Sequence, residues 1–401
     1  MKVLLLENIN TKATELFQFK NHDVDCHTGS INKEQLIEII GNYHVIGIRS
    51  KTNLDKDVLS HATNLIAIGC FCIGTNQVDL EYAQNKGICV FNSPFMNTRS
   101  VAELVISLVI GLSRKLGDTN INMHNGIWTK SASGCHEVRG KTLGIIGYGH
   151  VGSQVSILAE NIGLKVIYYD IANVMSLGNS RKCMTMDEVL IESDFLSLHV
   201  PLTSDTDNMI TKEHLDKMKK GSYLLNLSRG NVVDINDLSE YLRMGHLAGS
   251  AVDVYPEEPK ANTKDWKNIL QNCPNTILTP HIGGSTEEAQ TSIAVDVANK
   301  LLGYMVCGSS EESVNIPNLD ITSYGLYYNI LNIHYNNPGV MFKMVSIVNK
   351  YKLNIEKQFL STNETIGYCI VRVKNTYNRE LIEQIKREVE EIPESIKTRI
   401  C

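Results

Sequence analysis

The sequence predicts an α/β protein: two Rossmann-like, doubly wound parallel-sheet domains followed by a small ferredoxin-like βαββαβ domain. Three observations carry this. Apolar runs of strand length alternate with helical segments from near residue 3 to about residue 283, the pattern of a parallel sheet. A GxGxxG set, Gly147, Gly149 and Gly152, lies in the middle of that series rather than at its start. After about residue 316 the alternation gives way to strand, turn, helix, strand, strand, helix, strand, which matches a split βαβ unit.

In chain order, VLLLE (3–7) reads as a strand and KEQLIEIIGN as a helix. HVIGIRS, LIAIGCF and GICVFNS read as the second, third and fourth strands. The segment SVAELVISLVIGLSRKL is a long helix, apolar at so many spacings that it is expected at a domain or subunit contact. A second α/β unit runs from about 140 to 283, with later strands at FLSLHV, SYLLNLS, AGSAVDV and TILTP. Pro94, Pro201, Pro256 and Pro280 each follow an extended run, where proline ends a strand cleanly. EEAQTSIAVDVANKLLGYM is an amphipathic helix able to return the chain to the first domain. The expected domains are therefore 1–97 with 284–325, then 98–283, then 326–401.

Composition narrows the function classes. A chain of 401 residues with 43% hydrophobic and 20% charged residues is ordinary for a globular protein of two or three domains. The net charge of −6 argues against a nucleic-acid surface. The longest apolar runs fall far short of a membrane span, and the start, MKVLLLENIN, is too short in its apolar run for a signal peptide. Ten cysteines are scattered without a CxxC pair, and Cys70 and Cys72 have a poor zinc spacing. No metal is expected; free thiols in a reducing cytoplasm are.

The glycine set has a physical meaning. Leu143 to Ile146 is apolar enough for a buried strand. Gly147 permits a tight turn, Gly149 lets backbone approach a pyrophosphate, and Gly152 lets the next helix pack closely. The pyrophosphate would sit at that helix N-terminus. Asp170 closes the following run, VIYYD, and is placed to accept hydrogen bonds from ribose hydroxyls. Ile171 and Ala172 follow it, with no cation for a 2′-phosphate, so NAD is expected rather than NADP.

Candidate chemistry lies at three strand ends: Arg229 in NLSRG, Glu258 in DVYPEEP and His281 in TPHIGG. Ligands of open α/β sheets bind beyond the carboxyl ends of the strands. Hydride transfer to or from a hydroxy acid needs such groups. A histidine takes the hydroxyl proton, a carboxylate orients its ring, and an arginine fork holds the substrate carboxylate and polarises the C2 oxygen. Each has a plainer reading. A histidine after a strand is often structural, Arg229 can cap a helix or pair with Asp234, and Glu257 is chemically as good a carboxylate as Glu258.

The order GYGHVG, SRGNVVD, DVYPEEP, TPHIGGST resembles the D-2-hydroxyacid dehydrogenase family. IGCFCIGTNQVDL (68–80) and VFNSPFMNTRSVAELVI (90–106) resemble the branch of it that acts on 3-phospho-D-glycerate, and the tail resembles its regulatory ACT domain. The resemblance runs from near residue 3 to the C-terminus. It implies a catalytic set of Arg229, Glu258 and His281, choosing Glu258 over Glu257 by its place before the last proline. It implies cofactor contacts at Gly147, Gly149, His150, Val151, Gly152, Asp170, Leu227, Ser228, Arg229, Asp253, His281, Ile282, Gly283 and Gly284. It also implies NAD-dependent oxidation of 3-phospho-D-glycerate to 3-phosphohydroxypyruvate, the entry to serine biosynthesis.

A phosphorylated substrate needs positive charge. The resemblance places it at Arg49, Ser50 and Lys51, with Asn97 nearby and Lys130, in GIWTK beside Trp128, added from a dimer partner. His334, Asn336 and Asn354 match positions that bind L-serine across a contact between two ACT domains, so L-serine is the expected effector. Serine-inhibited relatives carry a paired glycine hinge before the ACT domain, whereas TSYGLYYN supplies Gly325 alone, which implies a stiffer hinge. Two dimer contacts per chain imply a homotetramer. The competing readings are another D-2-hydroxyacid dehydrogenase, such as one acting on 2-hydroxyglutarate or 2-oxoglutarate, and a non-enzymatic NAD-sensing binding protein.

Overall fold

A computed structural model describes residues 1–259, 262–322, 325 and 327–401. The chain divides into two compact units, Met1–Met96 with Gln290–Cys401, and Asn97–Ala289.

The first unit opens with a five-stranded parallel sheet: β1 Lys2–Leu5, β2 Asp23–Cys26, β3 Val45–Ile48, β4 Ala67–Cys70 and β5 Cys89–Phe91, in the order β2-β1-β3-β4-β5. Every residue of β3, β4 and β5 is buried, as continuous apolar runs covered on both faces should be. Strand β2 was not expected from the sequence. It reads DVDC, with its first and last residues exposed, and it lies at the sheet edge, where charge discourages further pairing.

The second unit holds a seven-stranded parallel sheet. Its strands are β6 Thr142–Ile146, β7 Lys165–Tyr169, β8 Arg181–Lys182, β9 Phe195–Leu198, β10 Tyr223–Asn226, β11 Gly249–Val252 and β12 Thr276–Leu278. The order β12-β11-β10-β9-β6-β7-β8 reverses direction between β6 and β9, which creates a switch-point crevice at the carboxyl ends of those strands. The helix Thr98–Ser113 buries one side within this unit, its Val101, Val105, Val109 and Leu112 packing with Leu143, Val155 and Leu225, and leaves Ile110 exposed. Lys115 then turns the chain at φ +51, and the helix Leu116–His124 that follows buries none of its residues, leaving Leu116, Ile121 and Met123 exposed.

The C-terminal sheet belongs to the first unit. Its strands are β13 Tyr327–Tyr335, β14 Ile355–Thr362, β15 Ile366–Lys374 and β16 Ser395–Ile400, antiparallel in the order β14-β15-β13-β16. One face packs Ile330, Cys369 and Val371 against Val340, Met344, Ile382 and Ile385 of its two helices. The other face contributes Leu331, Ile333, Tyr368 and Ile370 to the core that contains Phe17, Phe71, Val297 and Tyr304. Side chains also tie this sheet to backbone elsewhere in the unit. Tyr368 donates to Gly308 O at 2.6 Å, Asn329 to Cys307 O at 2.9 Å and Arg399 to Tyr304 O at 2.9 Å. Of the expected hinge, Ser323, Tyr324 and Leu326 lie outside the described residues. On either side, Arg372 donates to Thr322 O at 3.0 Å and Asn375 to Gly325 O at 2.8 Å. Among the described residues no helix is long and apolar enough to cross a membrane.

Candidate active site

Strand β6 ends at Ile146, and the chain turns at Gly147 with φ +90. A Cβ there would lie 2.4 Å from His199 O, and one on Gly152 would lie 2.1 Å from Gly147 O. Only glycine fits either place. Around Gly149, by contrast, nothing lies within 4 Å of the built Cβ, so the side a pyrophosphate would approach is open. The helix His150–Asn161 begins here, headed by His150 and Val151. Asp170, just past β7, accepts Tyr148 N at 2.6 Å and Ala172 N at 2.7 Å. Its carboxylate is thereby fixed beside the glycine turn, and Ile171 next to it is 95% exposed. Open backbone, a helix N-terminus and an acid at the end of the second strand fit a dinucleotide with a free ribose diol.

The loops after β10, β11 and β12 carry the other groups. Asn226 fixes the first: its Oδ1 accepts Ser228 N at 3.1 Å and its Nδ2 donates to Arg229 O at 3.0 Å. Gly230 packs so closely on the next loop that a Cβ would fall 1.9 Å from the Tyr255 carbonyl carbon. Arg229 donates to Ser228 O at 2.7 Å. It does not pair with Asp234, whose carboxylate instead caps the helix Ile235–Arg243 by accepting Asn236 N and Asp237 N. In the second loop Glu258 Oε1 accepts Tyr255 N at 3.1 Å, and its Oε2 lies 2.8 Å from His281 Nδ1. Glu257 and Glu258 are both exposed, and it is the contact with His281 that picks Glu258.

His281 sits at φ +54, a conformation uncommon outside glycine. Asp253 holds the turn there. It is 1% exposed and accepts Thr279 Oγ1 at 2.6 Å, Ile282 N at 2.8 Å and Gly283 N at 2.8 Å. The sequence reading placed Asp253 among the cofactor contacts; the structure gives both its oxygens protein donors and makes it the anchor of the His281 turn. Tyr255, missed from the sequence, ties the same loops by donating to Val252 O at 2.9 Å and Thr279 O at 3.0 Å. An apolar-looking tyrosine between two strand ends gave no signal of this.

The electrostatics follow from the geometry. The hydrogen bond to Glu258 raises the His281 pKa above its ordinary value. Burial and the Arg229 charge oppose this, while the charges of Glu258 and Asp253 add to it. Burial pushes the Glu258 carboxyl up, but the bond and charge of His281, the Tyr255 amide and the Arg229 charge together hold it below its ordinary value. Glu258 thus fixes the tautomer with hydrogen on Nδ1 and leaves Nε2 to exchange a proton. Glu258→Gln is expected to remove the main cause of the raised His281 pKa while keeping an acceptor for Nδ1. The pH above which His281 ceases to give a proton should then move down, and turnover that uses that proton should fall about 10- to 100-fold in kcat/KM at neutral pH. A pH–rate profile checks this; an unmoved limb would sink the role given to Glu258.

Leu227 is buried at the start of the Arg229 loop, and Ile282 is 41% exposed beside His281. Asn97 packs on Gly284, where a Cβ would fall 2.3 Å from its Nδ2. Lys130 and Trp128 are exposed in the segment after the helix Leu116–His124. In the first unit, Arg49, Ser50 and Lys51 form the loop just past β3. In the C-terminal sheet, His334 is 3% exposed, with Nδ1 3.1 Å from Asn332 Oδ1. Asn336 donates to Asn363 O at 2.7 Å, and Asn354 donates to Glu356 Oε1 at 3.2 Å. His334 pairs with Gly367 and Ile355 with Val373. Six residues of β15, about 20 Å, therefore separate His334 from the Asn354 end, and one chain does not bring these residues together.

A dinucleotide turn, and beside the same sheet's carboxyl ends a histidine–glutamate pair with an arginine in their field, define a nicotinamide-dependent oxidoreductase. Comparison with known proteins agrees. The family model for the D-isomer specific 2-hydroxyacid dehydrogenase NAD binding domain matches residues 106–283. A D-3-phosphoglycerate dehydrogenase of Dictyostelium discoideum is 52% identical over 400 residues, covering 100% of this chain and 97% of that protein. One from Escherichia coli is 44% identical over 401 residues, again with 100% and 97% covered. Among solved structures, the D-lactate dehydrogenase of Aquifex aeolicus complexed with NAD and lactic acid is 26% identical with a TM-score of 0.64. The match covers 76% of this chain and 95% of that one. The chain belongs to the D-3-phosphoglycerate dehydrogenase branch of the D-isomer specific 2-hydroxyacid dehydrogenase family. It is an NAD-dependent enzyme.

Proposed function

We propose that the enzyme oxidises 3-phospho-D-glycerate to 3-phosphohydroxypyruvate, the first step of serine biosynthesis. The observation that carries this is identity of 44–52% across the full chain to relatives named for that activity, together with the His281–Glu258 contact at 2.8 Å. Arg229 binds the substrate carboxylate and draws electron density toward the C2 oxygen. His281 Nε2 takes the C2 hydroxyl proton as the C2 hydride departs, and Glu258 stabilises the resulting imidazolium. When bound, NAD supplies the hydride acceptor at C4 of its nicotinamide. Gly147, Gly149, Gly152, His150, Val151 and Asp170 hold the dinucleotide, and Leu227 to Arg229, Asp253 and His281 to Gly284 line it.

Arg49, Ser50 and Lys51 bind the substrate phosphate, with Asn97 and a partner's Lys130 contributing. Exposed Leu116, Ile121, Met123 and Trp128 suit a contact between nucleotide-binding units of two chains. L-Serine binds between two C-terminal sheets, His334 and Asn336 from one chain and Asn354 from the other, because one chain holds them about 20 Å apart. Both contacts together give a homotetramer. Ten unpaired cysteines suit a reducing cytoplasm.

The test is NADH consumption with 3-phosphohydroxypyruvate, pyruvate, hydroxypyruvate and 2-oxoglutarate, each with and without millimolar L-serine. The expected result is a strong preference for the phosphorylated substrate and its suppression by serine. Preference for an unphosphorylated keto acid would overturn the substrate. Unaltered turnover with a serine-induced rise in thermal stability would mean binding without coupling.

A further inference from the structure

Glu7, two residues past β1, stands at φ +63, and Asn8 after it at φ +52. Left-handed backbone is rare for glutamate, and two such residues in succession require something outside them to hold the conformation. The carboxylate supplies it. Glu7 is 7% exposed. Its Oε1 accepts Thr52 N at 2.8 Å and Arg49 N at 3.2 Å, and its Oε2 accepts Lys51 N at 3.0 Å. Gln77 fixes the same loop from another side, donating from Nε2 to Arg49 O at 2.8 Å while its backbone carbonyl accepts Leu54 N at 2.8 Å.

Three amides of the 49–52 loop, those of Arg49, Lys51 and Thr52, are thus turned inward onto one buried carboxylate. They cannot also cradle a phosphate, so an anion at this loop is left to Ser50 and to the side chains of Arg49 and Lys51. Those cations sit on backbone whose path Glu7 dictates. We propose that Glu7 is a positioning residue for the substrate phosphate: its carboxylate shapes the loop that presents Arg49 and Lys51, without touching substrate itself. This rests on the reading of Arg49–Lys51 as the phosphate loop. Glutamine cannot replace it, since an amide offers one accepting oxygen and turns an N–H₂ toward at least one loop amide.

The test compares 3-phosphohydroxypyruvate with unphosphorylated hydroxypyruvate, using NADH, for the full-length wild type, Glu7→Gln, Arg49→Ala and the double variant. Glu7→Gln is expected to raise KM for the phosphorylated substrate about tenfold with little change in kcat. The ratio of kcat/KM between the two substrates should fall by a similar factor. Arg49→Ala should lower the same ratio, and the double variant should lose less than the product of the two single losses, because both act on one loop and share the Arg49 contribution. If Arg49→Ala lowers the ratio and Glu7→Gln leaves it unchanged, Glu7 is only structural and the proposal fails. If Arg49→Ala leaves the ratio unchanged, the phosphate-loop reading falls and takes the proposal with it. Should Glu7→Gln not fold, Glu7→Asp, which keeps the charge but is one methylene too short to reach all three amides, is judged by the same ratio.

Discussion

Replacing His281 by glutamine is expected to cut kcat for keto-acid reduction about a thousandfold or more, with NADH binding nearly unchanged. The glutamine side chain can still donate a hydrogen bond toward the substrate oxygen, but it cannot give up or take a proton at neutral pH. His281 is half exposed, with 49% of its side chain accessible, so the fold should survive its loss. The pH dependence gives the sharper signature. Glu258 raises the His281 pKa, so the imidazolium persists to higher pH than in an unpaired histidine. Reduction needs that charged form and should slow as pH rises through the raised pKa, whereas oxidation needs the neutral ring and should quicken over the same interval. Both limbs should vanish in His281→Gln. Activity within tenfold of wild type, or a surviving limb, would mean that the proton comes from another group.

How much of this was legible in the sequence depends on how local each constraint is. The glycine turn was readable because its spacing is local: Gly152 answers to the Gly147 carbonyl five residues back, 2.1 Å from its built Cβ, although Gly147 itself also meets His199 O, 52 residues away past β9. The buried strands were readable for the same reason, as unbroken apolar runs. Strand β2 was not, because DVDC at an exposed edge carries almost no hydrophobic pattern, and two-residue β8 was too short to register. At the catalytic site, residue chemistry alone left Glu257 and Glu258 equal. The resemblance to a family chose between them, and the 2.8 Å contact with His281 gives the physical reason. Asp253 and Glu7 show the opposite case. Both are buried acids past strand ends that accept from backbone amides 29 to 45 residues away in sequence. Such long-range partners leave no trace in local spacing. The C-terminal segment reads as a separate domain by its pattern, but the outer face of its sheet shares a core with Phe17 and Tyr304, a fact of surface chemistry that strand order cannot reveal.

Arg229→Gln should lower kcat/KM for the keto acid about 10³- to 10⁴-fold, and the loss should appear in both KM and kcat. The KM part comes from the substrate carboxylate, which loses a charge-assisted fork of about 2–5 kcal/mol. The kcat part comes from the C2 oxygen, where negative charge builds only as hydride arrives, so an interaction lost there is a transition-state loss. Arg229→Lys keeps the charge without the fork and should fall between, recovering more of kcat than of KM. The variant also makes a prediction of opposite sign to that for Glu258. The Arg229 charge lowers the His281 pKa, so its removal should carry the alkaline limb of reduction to higher pH, whereas Glu258→Gln should carry it lower. Opposed shifts from two neighbours of one imidazole would locate the titrating group at His281 without touching it. Shifts in the same direction, or none with Arg229→Gln, would show that the limb belongs to another group and would dissolve the coupling inferred among the three loops.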